Sequence, residues 1–90
     1  LKTYFISTGE EKIKMNLNDR TVKYFNTDNR WVGIDPENIK EGMTFQVFES
    51  NGSPVIQDRA VIFTAASDSK NIGGIITVQV IIDPAFQILS

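Results

Sequence analysis

Hydrophobic and polar positions alternate along most of this chain, with the two-residue period of β-strands. In residues 11–17, Ile13, Met15 and Leu17 fall on one face and Lys12, Lys14 and Asn16 on the other, as in a half-solvated strand. Residues 20–25 resume strand character after Asn18-Asp19, two residues that tolerate positive φ, so a tight two-residue hairpin is expected between the runs. Lys12, Lys14 and Lys23 would then share its solvent face, as a weak basic patch or a guard against edge aggregation. Residues 2–7, rich in aromatic and β-branched side chains, read as a further strand stopping at Thr8-Gly9.

Residues 26–29 are a turn cluster, followed by a short strand over 30–34. Asp35 then suits a helix N-cap, Pro36 the first helical position and Gly42 the stop, which predicts one short helical turn near residues 36–41. Residues 43–49 alternate again, and Ser50 to Pro54 is the strongest hairpin turn in the chain. Residues 55–66 read as extended, in two short strands with a bend near Gln57-Asp58, and 67–74 as the longest polar loop. In the strongest strand, residues 75–82, Ile76, Val78, Val80 and Ile82 share one face while Ile75, Thr77, Gln79 and Ile81 share the other. A strand so apolar is expected at the centre of a sheet or under a partner. Asp83-Pro84 interrupts it, and residues 86–89 suit a terminal edge strand.

Short strands at this spacing, joined by tight turns, predict an all-β fold: a small antiparallel β-sandwich or β-barrel of about seven to eight strands. No repeat, linker or low-complexity tract divides the chain, so residues 1–90 are expected to form a single all-β domain. The longest apolar stretch, Ile72 to Ile82, is interrupted by Gly73, Gly74, Thr77 and Gln79 and is too short to span a bilayer as a helix, so no membrane insertion is expected. Residues 1–7 lack the basic, apolar and small-residue pattern of a secretory signal.

Composition adds two zeros. There is no histidine and no cysteine, which removes thiolate chemistry, disulfides, thiolate metal sites and the commonest general base. The absence of cysteine suits any compartment. The net charge of −2 speaks against general nucleic-acid binding, which needs a basic surface. Charge is also uneven: residues 1–50 hold seven Lys/Arg and eight Asp/Glu, and residues 51–90 hold two and three.

The remaining candidates for chemistry have structural explanations. Glu10-Glu11 lies at a turn, and Asp35 and Glu37 suit helix capping. Residues 26–29 and 67–69 carry oxygen donors for a hard cation, but they are also ordinary turn formers. A converging acidic site would bring Asp28, Asp35, Asp58 and Asp68 together. Ser67, Ser69 and Lys70 are the nearest approach to a serine–lysine pair. Gly73-Gly74 lacks the other parts of a phosphate loop. Asn51-Gly52-Ser53 is formally a glycosylation acceptor and reads better as a turn.

No catalytic residue, metal site or cofactor is therefore expected, and the chain reads as a non-enzyme. Its expected role is a structural assembly module working through protein partners, copies of itself included, within a larger complex such as a phage or virion particle or a cell-envelope assembly. The expected interaction surface comprises Tyr24, Arg30, Trp31, Ile75, Thr77, Gln79 and Ile81. The alternative is a small ligand-binding module that stacks a carbohydrate or single-stranded nucleic acid on exposed aromatics around Trp31. A small core needs large residues, so Trp31 and one of Tyr24 and Phe25 are expected to be structural.

Overall fold

A computed structural model of the chain describes residues 12–82. The chain is all-β, with seven strands: β1 (Ile13–Asn16), β2 (Thr21–Phe25), β3 (Trp31–Ile34), β4 (Thr44–Phe48), β5 (Phe63–Ala65), β6 (Lys70–Ile72) and β7 (Ile75–Ile81). They form one antiparallel sheet in the order β1-β7-β5-β4-β2-β3, with β6 pairing β7 beyond the end of β5. As its apolar pattern requires, β7 is central, bordered by β1 on one side and by β5 and β6 on the other.

A flat sheet of this kind would leave both faces wet. Leu17, Val22, Phe45, Val47, Phe63, Val78 and Val80 are nevertheless almost wholly buried, and the only helical element among the described residues is a 3-10 turn. These side chains form one core cluster on the inner face of the sheet. Ile39, Val55 and Ala60, all from connecting segments, fill the space that remains. At the centre Phe45 and Phe63 are register partners on β4 and β5, their ring centroids 6.1 Å apart and tilted by 46°. Among the described residues β1 and β3 are the two ends of the sheet and do not pair with each other, so the pairing does not close into a ring.

Several local expectations are corrected. Asn18-Asp19 forms a turn, closed by the Arg20 amide on the Leu17 carbonyl, with Asp19 at φ 60°. It does not join a hairpin, because β1 pairs with β7 while β2 pairs with β3 and β4. The physical reason lies in Asn18, whose amide donates to the Gly74 carbonyl while its oxygen accepts the Ile76 N–H, both at 2.8 Å. These bonds tie the turn to the start of β7 and send the chain away from β1. The shared hairpin face expected for Lys12, Lys14 and Lys23 falls with the hairpin: Lys14 and Lys23 both point outward, but β7, β5 and β4 lie between their strands, and Lys23 sits over the Phe48 ring.

The helical turn is shorter than expected, spanning Pro36–Asn38 under an Asp35 cap that accepts the Glu37 N–H at 3.0 Å. It ends because Ile39 adopts an extended backbone and enters the core. Residues 67–74 are not one loop. They contain β6, which continues beyond a bulge in which residues 66–69 stand opposite only Val78 and Gln79. The Ser67 hydroxyl accepts the Gln79 N–H at 3.3 Å, taking the place of a main-chain carbonyl. Gly73 and Gly74, at φ 62° and 87°, then make the two-residue turn into β7. After the Ser50 to Pro54 turn, residues 55–62 contain no named strand; Val55 donates its N–H to the Val47 carbonyl, and Gln57 and Ala60 exchange both backbone hydrogen bonds in a tight turn. The strands expected over residues 2–7 and 86–89, and the Glu10-Glu11 turn, lie outside the described residues.

Candidate interaction surface

The outward face of β2, β3 and β4 carries the most exposed aromatic chemistry among the described residues. Its register follows from the β2–β3 connection. The Asn26 N–H donates to the Arg30 carbonyl, and three residues form the loop between them, ending in Asn29 at φ 60°. The Asn26 side-chain oxygen accepts the N–H groups of both Asp28 and Arg30. A turn of this length sets Phe25 opposite Trp31 and Lys23 opposite Gly33.

Phe25 and Trp31 therefore stand side by side on the outer face, ring centroids 5.0 Å apart and tilted by 54°, with exposures of 41% and 37%. Trp31 is thus a surface residue, against the expectation that it belongs to the core. The strand period decides this, because Trp31 shares a face with Phe25, and that face carries no covering layer among the described residues. Tyr24 is corrected in the opposite sense. It pairs with Val32 and Phe45 on the inner face and packs half-buried against the core, so it does not join Trp31 in one aromatic patch. Phe25 takes its place, and the loop length that pairs it with Trp31 is legible in the sequence. Beyond Phe25 a shallow hollow of about 510 Å³ opens, lined among others by Tyr24, Lys40, Glu41 and Met43.

Arg30 is exposed in the turn immediately before Trp31. Among the described residues β3, the strand that follows, pairs only with β2, and Trp31, Val32 and Gly33 are all exposed. Since Asn26 and Arg30 form a hydrogen-bonded pair, alternation turns the N–H and C=O groups of Trp31 and Gly33 away from β2, towards the open edge. Between Arg30 and Asp35 this edge holds no charge and no proline, the usual devices against edge pairing. A Cβ built on Gly33 would meet nothing within 4 Å, so a notch stands beside the indole.

Ile75, Thr77, Gln79 and Ile81 do share the outer face of β7, but on a different part of the sheet from Trp31. Ile75 is exposed beside Ile72, its register partner and the most exposed large apolar residue described, while Thr77 and Ile81 are half-buried. The seven expected surface residues thus divide between two regions, apart from Tyr24, which faces inward.

The carboxylates of Asp28, Asp35, Asp58 and Asp68 lie on four separate turns, and no three acidic side chains converge among the described residues. Asp35 caps the 3-10 turn, and Asp68 accepts the Glu41 N–H at 2.9 Å. Asn51 forms the expected turn by accepting from the N–H and hydroxyl of Ser53. No polar or charged side chain is fully buried among the described residues, and no helix there is long and apolar enough to cross a membrane. The chain matches no protein-family model, and neither curated proteins nor solved structures are detectably similar to it.

Proposed function

We propose that this chain is a non-catalytic assembly module, and that it associates with a second copy of itself through the open edge of β3. The observation that carries the reading is the exposed Phe25–Trp31 pair beside an edge strand without charge or proline. Tryptophan and arginine are the residues most enriched at binding hot spots, and Trp31 and Arg30 are neighbours here. The second copy is favoured by the composition of the strand itself. Two β3 strands paired antiparallel about a twofold axis, Val32 opposite Val32, set each Trp31 beside the other chain's Gly33. The indole then overhangs the residue that leaves space for it. A carbohydrate or single-stranded nucleic acid prefers ring faces presented flat to the ligand, and the 54° tilt favours the protein contact.

Sedimentation velocity at increasing protein concentration tests this reading. The native chain should shift reversibly from monomer to dimer, and Trp31→Ala should weaken association by tenfold or more, as expected of a residue worth at least about 1.4 kcal/mol. Gly33→Pro separates edge pairing from folding, since the lost N–H faces the open edge and proline is tolerated on edge strands. It should abolish the dimer while leaving the monomer folded. A native chain that stays monomeric at every concentration, or a dimer indifferent to Gly33→Pro, would overturn the proposal.

A further inference from the structure

The geometry points to a second, independent site, an anion-binding cleft for a phosphate group on the outer face of β1, β7 and β6. Lys14 of β1 and Lys12 just before it flank the cleft, Thr77 and Gln79 form its floor on β7, and Lys70 closes the opposite side from β6. The cleft is open to solvent and offers about 280 Å³, small for an extended cofactor and ample for a phosphate with a short organic stem. The register explains the convergence. Lys14 pairs with Gln79 and Lys70 pairs with Thr77, two positions apart on β7, so both lysines stand on the same face of the sheet, on either side of β7. The bulge at residues 66–69 interrupts the pairing on that side and opens the concavity between β5 and β6.

Charge and hydrogen-bonding capacity both select an oxyanion. Three lysines face one carboxylate in the cleft, whereas the chain as a whole carries a net charge of −2. None of the three lysines has an ion pair among the described residues, where the salt bridge formed is Arg20 to Glu49 at 3.1 Å, away from the cleft. The one carboxylate, Asp68, already accepts the Glu41 N–H. The Thr77 hydroxyl and the Gln79 side-chain amide make no hydrogen bond among the described residues and remain as donors. Like ammonium groups gathered around a concavity repel one another, and a dianionic tetrahedral group relieves that repulsion while accepting from the floor. Ile72, exposed at one end of the cleft, offers an apolar contact to an organic stem.

A titration of the isotopically labelled chain, followed by amide chemical shifts, tests the site. Inorganic phosphate and glycerol phosphate serve as ligands, with sodium chloride at matched ionic strength as control. Saturable shifts confined to residues around Lys14, Ser67, Lys70, Thr77 and Gln79 are expected with the phosphates and not with chloride. The Lys14→Gln, Lys70→Gln double variant should weaken binding about tenfold or more, a loss in keeping with two charge-assisted contacts. Lys23→Gln, on another part of the sheet, should leave it unchanged. Asp68→Asn keeps an acceptor for the Glu41 N–H and removes the opposing charge, so it should tighten binding about two- to fivefold. Tighter binding of glycerol phosphate would assign an organic phosphate, and equal binding the free anion. Shifts that fail to saturate, that chloride reproduces, or that survive the double lysine variant would overturn the proposal.

Discussion

Single residues in this chain hold backbone conformations that their side chains disfavour. Asp58 and Arg59 form the centre of the tight turn between Gln57 and Ala60, at φ 51° and 68°. Asparagine followed by glycine is the usual occupant of such a turn, and a β-carbon in the left-handed region costs about 1 kcal/mol. Arg59→Gly relieves that cost and loses some by loosening the unfolded chain, so a net gain of about 0.5 kcal/mol is expected. Thermal unfolding should show a melting temperature higher by about 2–4 °C. Trp31 and Tyr24 illustrate the other residue-scale lesson. Both are large aromatics in strands, and only the parity fixed by Asn26 and Arg30 sends one to solvent and the other to the core. The preference of large side chains for burial, taken alone, points the wrong way for Trp31.

Between elements, side chains do work that turn propensity cannot anticipate. Asn18 supplies two hydrogen bonds to β7 and thereby substitutes for the local hairpin that its own sequence suggests. Asn18→Ala should cost about 1–2 kcal/mol, and Asn18→Asp, which keeps the acceptor for the Ile76 N–H, about half as much. Denaturant titration reads the totals, and faster hydrogen exchange at the Ile76 amide locates the loss. A similar tether links Asn71 of β6 to the Glu37 carboxylate at the 3-10 turn, while the Asn71 side-chain oxygen accepts the Gly74 N–H. Residues 67–74 look like a loop because Ser67, Asp68, Ser69 and Asn71 are polar and Gly73-Gly74 ends them. Their polar character reflects an exposed short strand after a bulge, and strand pairing with β7 overrides it.

For the molecule as a whole, stability rests on an inner face that, among the described residues, is packed by strands and connecting segments without a covering helix. Ile39 shows how narrow that solution is: it lies outside every strand, is fully buried, and ends the 3-10 turn by entering the core. Ile39→Ala should cost about 2–5 kcal/mol, a large share of the marginal stability of a small domain, read as a reduced denaturation midpoint. The sequence by itself determined the fold class, the strands β1 to β4 and β7 to within a residue or two, and the two faces of β7. Those features follow from a side-chain period of two and from turn residues with positive φ, both local properties. It also determined that Asp35 caps a turn and that residues 26–29 make a loop, because short-range hydrogen bonds decide such features. Only the tertiary structure decided which strands pair, since β1 meets β7 across most of the chain length and no local signal encodes that distance. With the pairing came the separation of Trp31 from the face of β7, and the gathering of Lys12 and Lys14 with Lys70 rather than Lys23. Exposure and proximity are properties of neighbouring strands, and a strand's own sequence fixes its two faces but not what lies against them.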